Sequence, residues 1–238
     1  MSKHLKRLNA PRTIRINRKE RTWTVRSNPG KHPLKKSIPL GLLIRDYLKL
    51  SDNLSESKNI ISNGEVLVDG VVYKDYKYPV GLMDVISIPK LKQDYRVLFD
   101  RRGKLVLVSI TSNDAKWKLC RVENKKIIKD GKIQINLHDG QNMIVKKDEY
   151  KTGDVLKISF KDKKIDDVYS FEEKTVSMIT GGSHIGEIAN ISNIEIVPSS
   201  KPNLVKMKGE NEFSTLKDYV FCIGKTKPTI SLPEVKVQ

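Results

Sequence analysis

The chain has 238 residues, 38% hydrophobic and 31% charged, with 45 Lys and Arg against 28 Asp and Glu for a formal net charge of +17. That length allows one or two domains, and the low apolar content favours several small, surface-rich modules over one large core. The longest apolar runs are four or five residues, as at 40–44, whereas a membrane span needs about 20. No apolar stretch follows the basic start, which argues against a secretory signal, and Pro11 and Pro29 would break the amphipathic helix of a transit peptide.

The charge is concentrated at the start. Residues 1–36 hold 12 Lys and Arg against the single acid Glu20, so they carry +11 of the +17. Lys3, Lys6, Arg7, Arg12, Arg15, Arg18, Lys19, Arg21, Arg26, Lys31, Lys35 and Lys36, with His4 and His32, are therefore candidate contacts to a polyanion, of which nucleic-acid phosphate is the common one. Apolar residues are sparse here (Leu5, Leu8, Ile14, Ile16, Trp23, Val25), and disorder in the unbound chain is expected.

After this segment the pattern turns helical. Leu40, Leu43, Ile44, Tyr47 and Leu48 share one face of a short helix, with Pro39 suited to its first turn. A second helix is predicted from Ser55 as N-cap to Gly64, with Ile60 and Ile61 inward. Val66, Val68, Val71 and Tyr73 alternate around Asp69-Gly70, a hairpin with a tight turn. Ile86 and Ile88 give another strand, closed by Pro89. Arg45, Lys49, Lys58 and Lys74 read either as one basic face or as ordinary solvated positions.

The second half has almost no helical period. Val97 and Phe99 face Leu105 and Leu107 across residues 100–103. Further turns fall at Asp130-Gly131, Asp139-Gly140 and Gly153-Asp154. Short strands with such turns predict antiparallel sheets or small barrels, two rather than one, divided near 162–167. From Lys225, with Pro228 and Pro233, an extended tail is expected. The fold class is thus α+β, mostly β.

Motifs for catalysis are lacking. Gly181 and Gly186 have the spacing of a phosphate loop, but Glu187 and Ile188 stand where Lys and Ser/Thr are required. Gly181, Gly182, Ser183 and His184 read equally as a loop that lets an RNA backbone approach closely and as a bulged hairpin. His138 and Asp139 are adjacent, so on a strand they point to opposite faces and do not make a metal pair. No nucleophile has a base at a recognisable spacing. Cys120 and Cys222, without CxxC spacing, read as buried reduced thiols. No enzyme activity, cofactor, metal or small-molecule substrate is expected.

Several segments resemble the archaeal and eukaryotic small-subunit ribosomal protein four, e-type family. They are His4 to Pro11, Ser37 to Leu40, Val68-Asp69-Gly70, Tyr78 to Ile86, Ala115 to Cys120, Leu137 to Gly140, Gly181 to Gly186, Phe213 to Thr215, Val220 to Lys225 and Ile230 to Pro233. They occur in order over nearly the whole chain. The resemblance implies a basic extension that threads between RNA helices (1–36), a ribosomal-protein-four-like RNA-binding domain (37–104) and a central β domain (105–172). A KOW-type barrel (173–212) and a C-terminal strand and tail (213–238) would follow. It further implies a cytoplasmic, ribosome-bound protein whose partners are small-subunit ribosomal RNA and neighbouring ribosomal proteins. Alternatives are an RNA-modifying enzyme subunit or a transcription-associated KOW protein. The chain departs from the family at Gly30-Lys31-His32-Pro33, which reorders Gly-Pro-His-Lys. It also has Ile14 near where an aromatic is usual, and Ser183 and Glu187 where basic residues are frequent. These last changes shift the expected phosphate contact toward residues 1–36.

Overall fold

A computed structural model describes residues 4–128, 131–145, 147–198, 202–209 and 211–232. The chain forms two compact units. One takes the chain up to Leu98 and again Lys104–Lys118; the other takes Phe99–Gly103 and Leu119–Ser231.

The first unit opens with a ribbon of two short strands, β1 (Leu5–Lys6) and β2 (Trp23–Thr24), paired Leu5↔Thr24 and Lys6↔Trp23. The loop between them is folded, not disordered as expected. Ala10 and Ile14 within it and Val25 just after β2 are buried. Full burial of a branched aliphatic side chain is worth about 1.5–3 kcal/mol, so even this sparse set offsets part of the cost of ordering the segment. Next come β3 (Ser37–Pro39) and a short helix, α1 (Leu40–Leu42), continued as a wider turn over Leu43–Tyr47. The widening differs from the regular helix expected. The Leu48 N–H donates to the Leu43 carbonyl five residues back, at 3.0 Å. It still brings Leu40, Leu42, Leu43 and Ile44 to zero exposure. Pro39 pairs with Pro79 in β3 and precedes the helix instead of sitting in its first turn.

The second helix, α2 (Leu54–Ser62), starts two residues earlier than predicted. Asn53, not Ser55, is its N-cap: Asn53 Oδ1 accepts the Glu56 N–H at 3.0 Å while Glu56 Oε2 accepts the Asp52 N–H at 2.9 Å. The first bond satisfies a donor that the first turn would otherwise orphan, and the second ties the residue before the cap to the helix. Strands β4 (Leu67–Val68) and β5 (Val71–Val72) form the expected hairpin. Its turn residues Asp69 and Gly70 both have positive φ, 53° and 74°, as a two-residue hairpin matched to strand twist requires. With β6 (Pro79–Gly81), β7 (Val85–Ile88), β8 (Gln93–Phe99) and β9 (Leu105–Ile110), two sheets result: β3-β6, and β5-β4-β7-β8-β9. The expected boundary at 104/105 therefore falls inside the β8–β9 hairpin.

The second unit contains two five-stranded sheets. One has the order β12-β11-β10-β13-β14, from β10 (Trp117–Ile127), β11 (Ile133–Leu137), β12 (Asn142–Val145), β13 (Val155–Ser159) and β14 (Ile165–Tyr169). Cys120, Val122, Ile135, Leu137, Leu156 and Ile158 make its core. The other has the order β18-β17-β16-β15-β19, from β15 (Val176–Ile179), β16 (Ile188–Glu195), β17 (Leu204–Lys208), β18 (Glu212–Leu216) and β19 (Val220–Gly224). Both cysteines are buried thiols.

Three expectations change in this unit. Residues 162–167 are not a break, because β14 folds back on β13 and places Asp166 and Asp167 in a strand. The boundary at 212/213 cuts through β18, which belongs with β15 to β17. The segment after Lys225 is not simply extended: Thr229 N–H and Oγ1 donate to the Ile223 carbonyl at 3.0 and 2.7 Å, and Ile230 is 5% exposed. Its Pro233 lies outside the described residues, as does Asp130 of the predicted 130–131 turn.

Candidate nucleic-acid interface

The basic residues of the extension fall into two sets. Some are used internally. Arg7 is only 4% exposed and donates from Nε to the Asn17 carbonyl, with Glu20 and Asp46 carboxylates 3.6 and 3.9 Å from Nη2. Arg18 closes the loop by donating to the carbonyls of Leu8 (3.1 Å), Ala10 (2.7 Å) and Pro11 (3.0 Å). A planar fork of five donors suits such multiple capture.

Lys31 and His32 anchor the end of the extension. Lys31 Nζ lies 2.7 Å from Asp69 Oδ2, and His32 Nε2 lies 2.9 Å from Asp84 Oδ2. Lys118 Nζ bridges the same two carboxylates at 2.7 and 3.1 Å. The backbone N–H groups of Val85 and Gly81 donate to Asp69 and Asp84, each at 3.0 Å. Buried charges persist when paired and hydrogen-bonded in this way. Gly81 is needed beside the cluster, since a Cβ there would overlap the His32 ring. Burial works to lower the Lys31 ammonium, but Asp69 beside it raises it above its ordinary value. Burial also pushes Asp69 up, aided by the charge of Asp84. Asp84 feels the same burial, yet His32 and Lys118 outweigh it and hold the carboxyl well below the ordinary range.

The other set faces solvent. His4, Lys6, Arg12, Arg15, Lys19, Arg21, Lys35 and Lys36 are exposed, and Arg26 is half-buried. Arg15 is held by its backbone, whose N–H donates to Tyr47 Oη at 2.7 Å; burial raises that phenol to about 12. Thr13 Oγ1 donates to the Lys35 carbonyl at 2.8 Å. Lys3 lies outside the described residues.

Arg45, Lys49, Lys58 and Lys74 divide into smaller groups. Arg45 and Lys49 line a cleft of about 250 Å³ with Arg7, Arg21, Glu20, Asp46, Ser51 and Asp52. Arg45 is bound bidentately by the Asp46 carboxylate, at 2.6 and 3.1 Å. Lys58 instead sits over the Tyr76 ring at 4.5 Å, with Lys77 at 5.5 Å. Lys74 is exposed.

The glycine loop joins β15 to β16. A Cβ on Gly181 would meet the Tyr219 ring at 2.6 Å, and one on Gly186 would meet the Asp100 carbonyl at 2.5 Å. Those close approaches are to protein groups. Ser183 is exposed. The His184 ring stacks on Phe213, centroids 4.0 Å apart, and its Nδ1 lies 3.1 Å from Glu187 Oε2.

Two kinds of residue escaped the sequence reading. The buried acids Asp69 and Asp84 pair with cations far away in sequence, which no local pattern announces. Trp23 left a signal that was not used: a large aromatic in an acid-poor basic segment. It is 54% exposed.

A family model described as "Ribosomal family S4e" matches residues 91–165. An S4 domain matches 47–86, and the RS4NT (NUC023) domain matches 1–35. The chain is 48% identical over 233 residues to the small ribosomal subunit protein eS4 of Methanothermobacter thermautotrophicus, covering 97% of this chain and 96% of that one. The corresponding figures for the protein of the same name in Archaeoglobus fulgidus are 48% over 233 residues, 96% and 97%. The crystal structure of the 30S ribosomal protein S4e from Thermoplasma acidophilum is similar with a TM-score of 0.71 and 40% identity, covering 80% of this chain and 96% of that one.

Proposed function

The chain belongs to the ribosomal S4e family, and on that footing we propose that it is a non-enzymatic structural constituent of the small ribosomal subunit that binds ribosomal RNA. The observation that carries the RNA reading is the division of labour among the cations. Arg7, Arg18, Lys31 and His32 fold the extension onto the first unit. Arg12, Arg15, Lys19, Arg21, Lys35 and Lys36 are thereby held on its surface, together with Lys49 near the cleft. A pre-ordered cationic surface loses less entropy on binding than a disordered tail, and phosphate contacts fix register on RNA without reading sequence.

Under this proposal the extension is a fixed surface, not a thread between RNA helices. Lys58 and Lys74 add phosphate contacts from α2 and the loop after β5. The β15–β19 sheet is the KOW-type module, and its loop 181–186 is a structural joint, since its glycines are filled by Tyr219 and Asp100. The setting is the ribosome in the cytoplasm, with neighbouring ribosomal proteins as further partners.

Sedimentation tests the reading. The protein should travel with small subunits at moderate salt and leave them at high salt. If about eight phosphates are neutralised, log K against log salt should have a slope of roughly −6. A chain that stays at the top of the gradient at every salt concentration would defeat the proposal.

A further inference from the structure

We infer that Trp23 is a stacking platform for one unpaired RNA base, with His4 and Lys6 as its flanks. The inference rests on the RNA-binding reading above and adds a site to it. Trp23 and Lys6 are directly opposed in the β1–β2 ribbon, and opposed residues project from the same face. His4, two residues before Lys6, projects from that face as well. Its ring leans on the indole at 5.7 Å between centroids, with a 57° tilt. This bracing limits the ring's motion and still leaves it 54% exposed.

Several aliphatic side chains are at least as exposed, Leu8, Ile127, Ile144 and Ile196 among them, but an aliphatic chain offers no ring face for stacking. The other tryptophan, Trp117, is 9% exposed and carries the Arg96 guanidinium over its ring at 4.4 Å. An indole left open has a cost in water that a bound partner removes. The charge around Trp23 selects that partner. Lys6 lies across from it, and Arg21, two residues earlier, lines the cleft with Lys49; the other two arginines there, Arg7 and Arg45, are already matched by Glu20 and Asp46. An apolar protein surface gains nothing from this field. A nucleotide matches both parts, its base on the ring and its phosphate near the cations. Bases inside a duplex are already stacked, so the occupant is an unpaired nucleotide of a loop, bulge or single strand.

The test uses the full chain and two RNA probes, a single-stranded oligonucleotide and a blunt duplex of equal length. Two variants keep apolar bulk at the site: Trp23→Phe retains a π face and Trp23→Leu does not. Trp23→Leu should bind the single strand about 5- to 100-fold more weakly than the unsubstituted chain, with Trp23→Phe in between and duplex affinity unchanged in all three. Single-stranded RNA should quench the selectively excited tryptophan fluorescence of the unsubstituted chain, and the quenching should vanish in Trp23→Leu, where Trp117 is the remaining tryptophan. Equal losses on strand and duplex would make Trp23 merely structural. Unchanged binding of the strand would overturn the inference, and combined with weaker co-sedimentation it would assign the ring to a protein neighbour. Failure of the unsubstituted chain to bind either RNA would instead defeat the RNA-binding reading itself.

Discussion

His32 Nε2 and Asp84 Oδ2, 52 positions apart in the chain, stand 2.9 Å from each other with side chains 4% and 0% exposed. This pair ties the end of the basic extension to the turn between β6 and β7. Without it Asp84 would keep as direct partners only Lys118, shared with Asp69, and the Gly81 N–H.

The first prediction concerns acid. The Asp84 carboxyl is held well below its ordinary range by His32 and Lys118 against the opposing effect of burial. A carboxyl with a depressed folded pKa adds stability at every pH above its unfolded value, about 3.9, and loses it as pH falls through the folded pKa. Asp84→Asn should therefore cost roughly 3–5 kcal/mol at neutral pH, the usual cost of breaking a buried pair. The cost should shrink below about pH 4. Urea denaturation of both proteins at pH 7 and near pH 3 measures this, and a pH-independent difference would exclude the charge as the cause.

The second concerns truncation. Removal of residues 1–36 takes away Ile14 and Val25, about 3–6 kcal/mol of apolar burial, and strips Asp69 and Asp84 of Lys31 and His32. Amide hydrogen exchange should accelerate in β3, β6 and β7 and stay unchanged in β15 to β19. A disordered, dispensable extension would leave β3, β6 and β7 as protected as before.

The third separates two arginines. Arg7→Ala should lower the melting temperature by several degrees, since it removes a 4%-exposed side chain and leaves the part-buried Asn17 carbonyl without its donor. Arg12→Ala should leave the melting temperature within about 1 °C and weaken RNA binding, with a salt slope shallower by about 1. Calorimetry with filter binding decides; the reverse assignment would invert the division of labour proposed for the extension.

The fourth compares two glycines with positive φ. Gly186 has φ 81° and no room for a Cβ against the Asp100 backbone, whereas Gly131 has φ 69° and nothing within 4 Å. Gly186→Ala should cost about 3 kcal/mol or more from strain and overlap together. Gly131→Ala should cost only about 1 kcal/mol, the left-handed backbone alone. Similar unfolding midpoints for the two variants would mean the loop 181–186 can move off residues 100–103.

The sequence by itself determined most of the elements. Asp69-Gly70 and Asp139-Gly140 announce their turns, because those residue types tolerate the backbone a tight turn needs. Alternating Ile and Val around them announce strands, and residues near Asn53 and Gly64 bracket α2 because capping is local chemistry. The ordered family segments pointed to a ribosomal protein for the same reason: each can be read within a few positions. The charge count likewise marked residues 1–36 as the polyanion-facing part. Only the tertiary structure decided which of those cations remain available. Arg7 with Asp46, Lys31 with Asp69 and His32 with Asp84 pair across 39, 38 and 52 positions, and a local pattern carries no information about a partner that far away. The same folding buried Ile14, closed the Arg18 loop and left Trp23 in solvent beside Lys6. A segment that composition reads as a flexible tail is thereby a shaped surface, because its few apolar residues and buried ion pairs are satisfied only by residues that arrive later in the chain.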